Sequence, residues 1–364
     1  MPGLDVLRGL AIGGVIMYHG VVNAAQIFHP QLSSWQYASL NFFKQGAMGV
    51  PLFFVLSGFL ITGILLDTRT NPDYFKTFYL RRVLRIVPVY LLMIIILKSM
   101  DEISWTFVLV SLLYLCNMTH SANIGQQYGV FWSLSVEEQF YLFWPLVIRK
   151  LSPRRSFYVA LSLLFAVPLL RFILLGLPPG FRDIYYKVWS IADFFAGGAL
   201  MSMAIRSSRL RPMLPVICAG AIALSALLFA FFYAISDLHS PLAVRTMKAT
   251  AMCPFVLLFS GAVLLAYLRP SIASSAVGRF FVFMGYISYG LYLCHPLIQT
   301  LIERRWTLAA WSGNALYARI LIRFVAEMTL AIGISYLSRR TFENYFLKLK
   351  PRQREIVQDL KLVQ

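Results

Sequence analysis

The chain has 364 residues, 59% of them hydrophobic and only 13% charged, with 33 Lys and Arg against 15 Asp and Glu. Soluble domains carry about 25% charged residues, so this composition, with a mean hydropathy of +0.69, excludes an ordinary water-soluble domain. The formal charge of +18 does not point to nucleic acid, because the basic residues gather at the ends of apolar runs, as they do in membrane proteins.

The apolar runs are continuous rather than alternating, so helices and not a barrel satisfy their backbone groups in lipid. The expected fold is an all-α integral membrane protein of about ten transmembrane helices plus a re-entrant or short interfacial segment. The first three spans are expected at 9–28, 47–66 and 83–97. The first stretch is read as retained, since cleavage after the small residues near Ala25 would remove Arg8 and His19. The joint between the second and third spans holds Arg69, Lys76, Arg81, Arg82 and Arg85, which places it, and with it the N-terminus, on the cytoplasmic side.

The run SWTFVLVSLLYLC is too short to cross comfortably, and NMTHSANIGQQYG after it is polar without charge. Residues 103–130 are therefore read as re-entrant or as lying near the outer surface. Spans follow at 131–148, 156–176, 187–204, 213–235, 250–268, 280–302 and 318–338. The joints RKLSPRR, RSSRLR and LRPSIASSAVGR then fall inside with the tail RRTFENYFLKLKPRQR, so both termini are cytoplasmic. One transmembrane domain over 1–340 and a basic tail over 341–364 complete the organisation. Cys116, Cys218, Cys253 and Cys294 read as small apolar fillers, and no set of His, Cys and carboxylate residues has metal-ligand spacing.

Five stretches set polar chemistry into this apolar background. In LDVLRGLAIGGVIMYH, Arg8 and His19 are separated by about 16 Å of helical rise and about 20° of net rotation. They share one face at two depths. Arg8 is either a topology charge paired with Asp5 or a functional group, and His19 either a helix–helix hydrogen bond or a base that titrates near neutral pH. Ionisable groups inside a membrane are functional candidates by default. In WSLSVEEQFYLFWP, Glu137, Tyr141 and Trp144 share a face while Glu138 points about 100° away. The two acids cap the helix in the headgroup layer, or one of them orients an imidazole as third groups do in triads.

In YLRRVLRIVP, Arg81, Arg82 and Arg85 are topology charges or a phosphate clamp, because guanidinium forks match phosphate oxygens in pairs. In GVPLFFVLSGFLITG, Gly49, Gly58 and Gly63 with Ser57 allow close helix packing or make a thin wall beside a ligand. In ISYGLYLCHPLI, His295, Tyr289 and Tyr292 are structural or line a sugar-sized mouth. His29, His120 and His239 sit in outer joints and read as bland.

With these five blocks in order, the chain over about residues 3–340 resembles the membrane-bound acyltransferase-3 family, typified by bacterial O-antigen and macrolide O-acyltransferases. The likeness is carried by the Arg, ten residues, His spacing at Arg8 and His19, and by FFVLSGFLIT, YLRRVLRIVP, WSLSVEEQFYLFWP and SYGLYLCHPL. The resemblance implies transfer of an acyl group, often acetyl, from a cytoplasmic acyl-CoA to a hydroxyl of a carbohydrate or glycoside. It implies Arg8, His19 and Glu137 as the catalytic set, no metal, no nucleic acid, and a place in the bacterial cytoplasmic (inner) membrane. The topology read above, with Arg81, Arg82 and Arg85 clustered at the cytoplasmic end, puts the CoA phosphates on these three arginines, with Ser57 beside the donor. His19 would be the general base, backed by Glu137, and Trp132, Glu138, Tyr141, Tyr292 and His295 would face the acceptor. Some relatives carry a C-terminal hydrolase-like domain; none is expected here, because the chain ends soon after its last span. The competing class is a multispan transporter of an anionic or acylated solute. Transporters usually show internal repeats and paired broken helices, and no repeat is visible.

Overall fold

The computed structural model describes residues 1–25, 33–119, 122, 124–125, 127–178, 186–238, 240–306 and 313–350, and every regular element among them is a helix. In chain order these are α1 (Pro2–Met17), α2 (Ser34–Lys44), α3 (Gly49–Asp67), α4 (Tyr74–Ser99), α5 (Trp105–Leu112), α6 (Phe131–Lys150) and α7 (Pro153–Leu175). They continue with α8 (Val188–Arg206), α9 (Leu214–Ala234), α10 (Pro241–Thr250), α11 (Cys253–Leu268), α12 (Ala276–Arg305), α13 (Gly313–Ser338) and α14 (Asn344–Lys348). His29, His120 and His239 lie outside the described residues, as does the tail beyond 350.

Serine starts many of these helices, because its hydroxyl takes a backbone N–H that has no partner in the first turn. Ser104, Ser152, Ser240 and Ser275 accept from the N–H three residues on, and Pro153 and Pro241 occupy the first helical position, where no N–H is needed. Ser33 and Gln36 form a reciprocal capping box that starts α2. No span is expected over this segment; α2 is an extra helix that runs through a 3₁₀ turn into α3.

Eight helical stretches are long and apolar enough to cross a membrane: Pro2–Asn23, Ser34–Asp67, Pro153–Leu175, Val188–Arg206, Arg211–Ala234, Pro241–Leu268, Ala276–Arg305 and Asn314–Lys348. Helices α4, with 26 residues, and α6, with 20, are also long. They miss that apolarity because Arg81, Arg82, Arg85, Glu137 and Glu138 sit within them. With these two added, the long helices coincide with the expected spans. Residues 103–130 behave differently. Helix α5 has eight residues, about 12 Å of rise, and ends in a turn where Tyr114 takes φ 52°. It is too short to cross.

Side-chain bonds sort the loops into two groups. At one end Arg69 donates to the Leu151 carbonyl at 2.6 Å, Arg149 reaches back to the Arg69 carbonyl, and Arg206 grips Asp67 at 2.6 Å. The three basic joints are thereby gathered together. At the other end Lys187 donates to the Asn117 carbonyl at 2.8 Å, Arg304 pairs with Glu102 at 2.7 Å, and Gln36 bonds Asn314 at 2.9 Å. The start of the basic tail is not free chain, since α14 lies against α4.

Two apolar clusters fill the interior. One joins α3, α6, α8 and the first part of α4; the other joins α1, α5, α12 and the second part of α4. Val50, Phe53 and Tyr289 pack against both, so the seam between them runs beside α3 and α12. Lipid supplies no hydrophobic drive between helices, and close packing must serve instead. Helices α1 and α12 lie side by side in the same direction. A methyl group at Gly9 would meet the Phe281 carbonyl, and one at Gly285 the Asp5 carbonyl. This approach fixes α1, and therefore both Arg8 and His19, against α12.

Candidate active site

The seam opens into a cavity of about 110 Å³ walled by α1, α3, α4, α6 and α12. Arg8, Arg82 and Arg85 supply its positive groups, Glu137 its carboxylate, and Ser57, Ser133, Ser288, Tyr141, Tyr289 and Tyr292 its hydroxyls. Val50, Phe53, Phe54 and Leu60 complete an apolar side. Glu137 is held: the Ser57 hydroxyl donates to it at 2.7 Å, and Tyr141 in turn donates to Ser57 at 2.9 Å. The Arg82 guanidinium stands 4.5 Å above the Tyr141 ring, a cation–π contact. Arg8 pairs with Asp5 at 2.7 Å and also stands on the cavity wall.

Beyond the cavity along α1 and α12 stands a pair of imidazoles. His19 Nδ1 is 2.8 Å from His295 Nε2, and the rings stack with centroids 5.1 Å apart. His19 lies in a π-helical turn, Tyr18–Asn23, that continues α1; such turns often mark functional positions. Gln299 donates to the His19 carbonyl at 2.9 Å. Tyr292 links the two parts, because it lines the cavity, bonds Ser133 at 2.6 Å and has its ring 5.9 Å from that of His295.

Of the expected residues, the cavity gathers Arg8, Ser57, Arg82, Arg85, Glu137, Tyr141 and Tyr292. His19 and His295 meet each other instead. Among the described residues no hydrogen bond joins His19 to Glu137: the partner of Glu137 is Ser57, and the ring partner of His19 is His295. The helical rise between Arg8 and His19 is the reason, for it carries the imidazole past the cavity. Arg81 lines a separate depression with Thr68, Asn71 and Tyr74, touching the cavity only through Arg82. Trp132 packs edge-on against Phe54 and Tyr186, and Glu138 is outside the cavity wall. Gly58 is a packing glycine, since a methyl there would meet the Phe195 carbonyl.

Sequence reasoning passed over Ser133, Ser288 and Gln299. A helical repeat would have found all three, since Ser133 is one turn before Glu137, Ser288 one turn before Tyr292 and Gln299 one turn after His295.

Fold and site define a multi-pass helical membrane protein with a basic, hydroxyl-rich cavity between its helices. Residues 1–340 match the family described as an acyltransferase domain, and the chain belongs to this acyltransferase-3 family. A relative from Listeria monocytogenes, peptidoglycan O-acetyltransferase OatA, is 27% identical over 399 aligned residues, covering 96% of this chain and 59% of its own length. A Bacillus subtilis relative, named "Putative peptidoglycan O-acetyltransferase YrhL", is 31% identical over 172 residues, covering 41% of this chain and 24% of its own. The chain thus spans less than two thirds of the length of either relative. No solved structure matches it.

Proposed function

We propose that the protein is a membrane O-acetyltransferase that moves an acetyl group from a cytoplasmic acyl-CoA to a carbohydrate hydroxyl, with a peptidoglycan sugar as the favoured acceptor. The observation that carries this reading is the partly open cavity between the helices, where Arg8, Arg82 and Arg85 line the wall with one carboxylate, Glu137. An excess of positive charge lining a cavity suits a polyanion, and guanidinium forks suit its phosphates. The Listeria and Bacillus relatives are named for O-acetyl transfer to peptidoglycan. In this reading the end that gathers the basic joints is cytoplasmic, and so are both termini.

The donor enters from that end with its phosphates toward Arg82 and Arg85. Its amide-bearing arm passes Glu137, Ser57 and Tyr141, whose oxygens accept amide N–H groups, and reaches past Tyr292. The acceptor comes from the opposite side. His19 takes the hydroxyl proton as the oxygen attacks the thioester carbon; the carbon–sulfur bond breaks and the sulfur leaves with the proton. Arg8 holds α1 and the donor in line.

The test is acetyl-CoA turnover by purified protein in detergent with a soluble peptidoglycan fragment as acceptor. His19→Ala is expected to lose about 10²- to 10⁴-fold, the usual worth of general-base assistance. Near-normal turnover by that variant removes His19 as base. A transporter would release no CoA without two compartments.

A further inference from the structure

The contact between His19 and His295 determines which nitrogens carry protons. A neutral imidazole offers one N–H and one lone pair. His295 Nδ1 lies 3.1 Å from the Leu291 carbonyl oxygen. A carbonyl only accepts, so His295 Nδ1 carries the hydrogen and Nε2 the lone pair. That lone pair stands 2.8 Å from His19 Nδ1. The contact is a hydrogen bond only when His19 donates from Nδ1, which leaves the lone pair of His19 on Nε2. Reversing both rings keeps a hydrogen bond between them but sets the bare His295 Nδ1 against the Leu291 carbonyl oxygen, lone pair to lone pair. His295 is only 3% exposed, so water cannot relieve such a clash.

The surroundings hold His295 in place. Pro296 has no N–H and disturbs the helix at this point. The Tyr128 hydroxyl enters the break, donating to the Leu293 carbonyl at 2.6 Å and accepting from the Leu297 N–H at 3.2 Å. A side chain inserted into the ladder beside a proline is a recognised cause of a helix kink. The segment that does not cross the membrane therefore pins the turn that carries His295. Gln299, from the next turn of α12, fixes the His19 backbone. His19 itself remains partly accessible while His295 is buried.

We propose that His295 is the positioning residue of the transfer: it accepts the His19 Nδ1–H and fixes the tautomer in which His19 Nε2 is the proton acceptor. The proposal rests on the reading of His19 as base. As the acceptor oxygen bonds the thioester carbon, its proton passes to His19 Nε2. The carbon–sulfur bond breaks with its electron pair on sulfur, and Nε2 returns the proton to that thiolate. His19 ends as it began. His295 stays neutral throughout, and its bond to His19 strengthens while His19 is cationic.

Two measurements test this on the full chain in detergent. Nitrogen-15 NMR of histidine-labelled protein, assigned by comparison with His19→Ala, reads the tautomer without any turnover. His19 protonated on Nδ1 and bare on Nε2 is the expected result; the reverse overturns the inference. Kinetics supply the second. A wrong tautomer costs about 10⁴-fold in serine proteases; with a neutral partner in place of a carboxylate, His295→Phe is expected to lower kcat about 10²-fold with KM little changed. His295→Gln puts an amide oxygen where Nε2 stood and should recover to within about tenfold of wild type. A fully active His295→Phe beside an inactive His19→Ala overturns the positioning role alone. An active His19→Ala overturns the base reading on which it rests. Where His295→Phe does not fold, the wild-type spectrum and His295→Gln decide, and a Gln variant as inactive as His19→Ala counts against the proposal.

Discussion

Charged groups lie inside this bundle at several places, Arg323 with Glu327 among them, and two of those places differ in whether the charge is answered. Between α7 and α8 Arg171 is paired directly with Asp193, and its other nitrogen donates to the Ala249 carbonyl at 3.1 Å. Both side chains are sealed, 1% and 2% accessible. In the seam between the two apolar clusters, Arg82 and Arg85 face a cavity with Glu137 as its carboxylate, and Arg8 is already engaged by Asp5. The first centre pairs its two charges one to one. The second has space and surplus positive charge. Buried charge alone does not identify a site; what separates the two is the ratio of opposing groups and the empty volume beside them.

The comparison breaks first at the closed centre, where the largest effect on stability is expected. Removing one partner of a buried pair leaves a lone charge and typically costs about 3–5 kcal/mol, whereas replacing both by apolar residues is often neutral or better. Asp193→Ala should therefore lower the unfolding temperature in detergent sharply, and Arg171→Met combined with Asp193→Leu should restore it. If Asp193→Ala instead unfolds like wild type but fails to turn over, the closed centre belongs to the chemistry and the distinction is lost.

The next effect concerns how α1 is held. Gly9→Ala drives a methyl into the Phe281 carbonyl, while at Gly13 nothing lies within 4 Å of an added methyl. Overpacking costs about 1–3 kcal/mol, so Gly9→Ala should destabilise and weaken turnover by moving α1. Gly13→Ala should gain about 0.5–1 kcal/mol from helix propensity. Equal melting of the two variants would mean that the close approach to α12 is not what positions Arg8 and His19.

At the open centre the effect should fall on the donor. Arg85→Ala is expected to raise the KM for acetyl-CoA about tenfold, equivalent to about 1.4 kcal/mol, with little change in melting. Arg81→Ala, on the separate depression, should raise it less. Reversed sizes would move the phosphate site out of the cavity.

Much of this could be read from the chain. Arg8 and His19 announce themselves because polar groups are rare in an apolar run, and Arg82, Arg85 and Glu137 because they spoil the apolarity of α4 and α6 while leaving their length intact. Partners were harder. Arg171 and Asp193 lie on different helices and in no common motif, so no periodicity links them. His19 was expected against Glu137, but a face shared along one helix does not say which neighbour comes to meet it. That is decided by α12 running parallel to α1, a long-range packing fact carried by Gly9 and Gly285. Helix α2 was legible locally, in Ser33 and Gln36, yet its segment was too polar to register as a span.

The smallest effect sharpens the comparison most. In Tyr141→Phe the ring beneath Arg82 stays, and only the hydroxyl that donates to Ser57 is lost. One neutral hydrogen bond contributes about 0.5–1.5 kcal/mol, so melting should shift slightly if at all. Ser57 still donates to Glu137, so the carboxylate keeps its place. What changes is the cavity wall: one hydroxyl fewer faces the donor arm. The expected outcome is a modest rise in the acetyl-CoA KM, a few-fold, with kcat unchanged, since His19 and His295 lie beyond Tyr292 and do not touch Tyr141. A kcat loss as large as that of His19→Ala would put a reacting proton on Tyr141 and move the chemistry from the imidazole pair into the cavity.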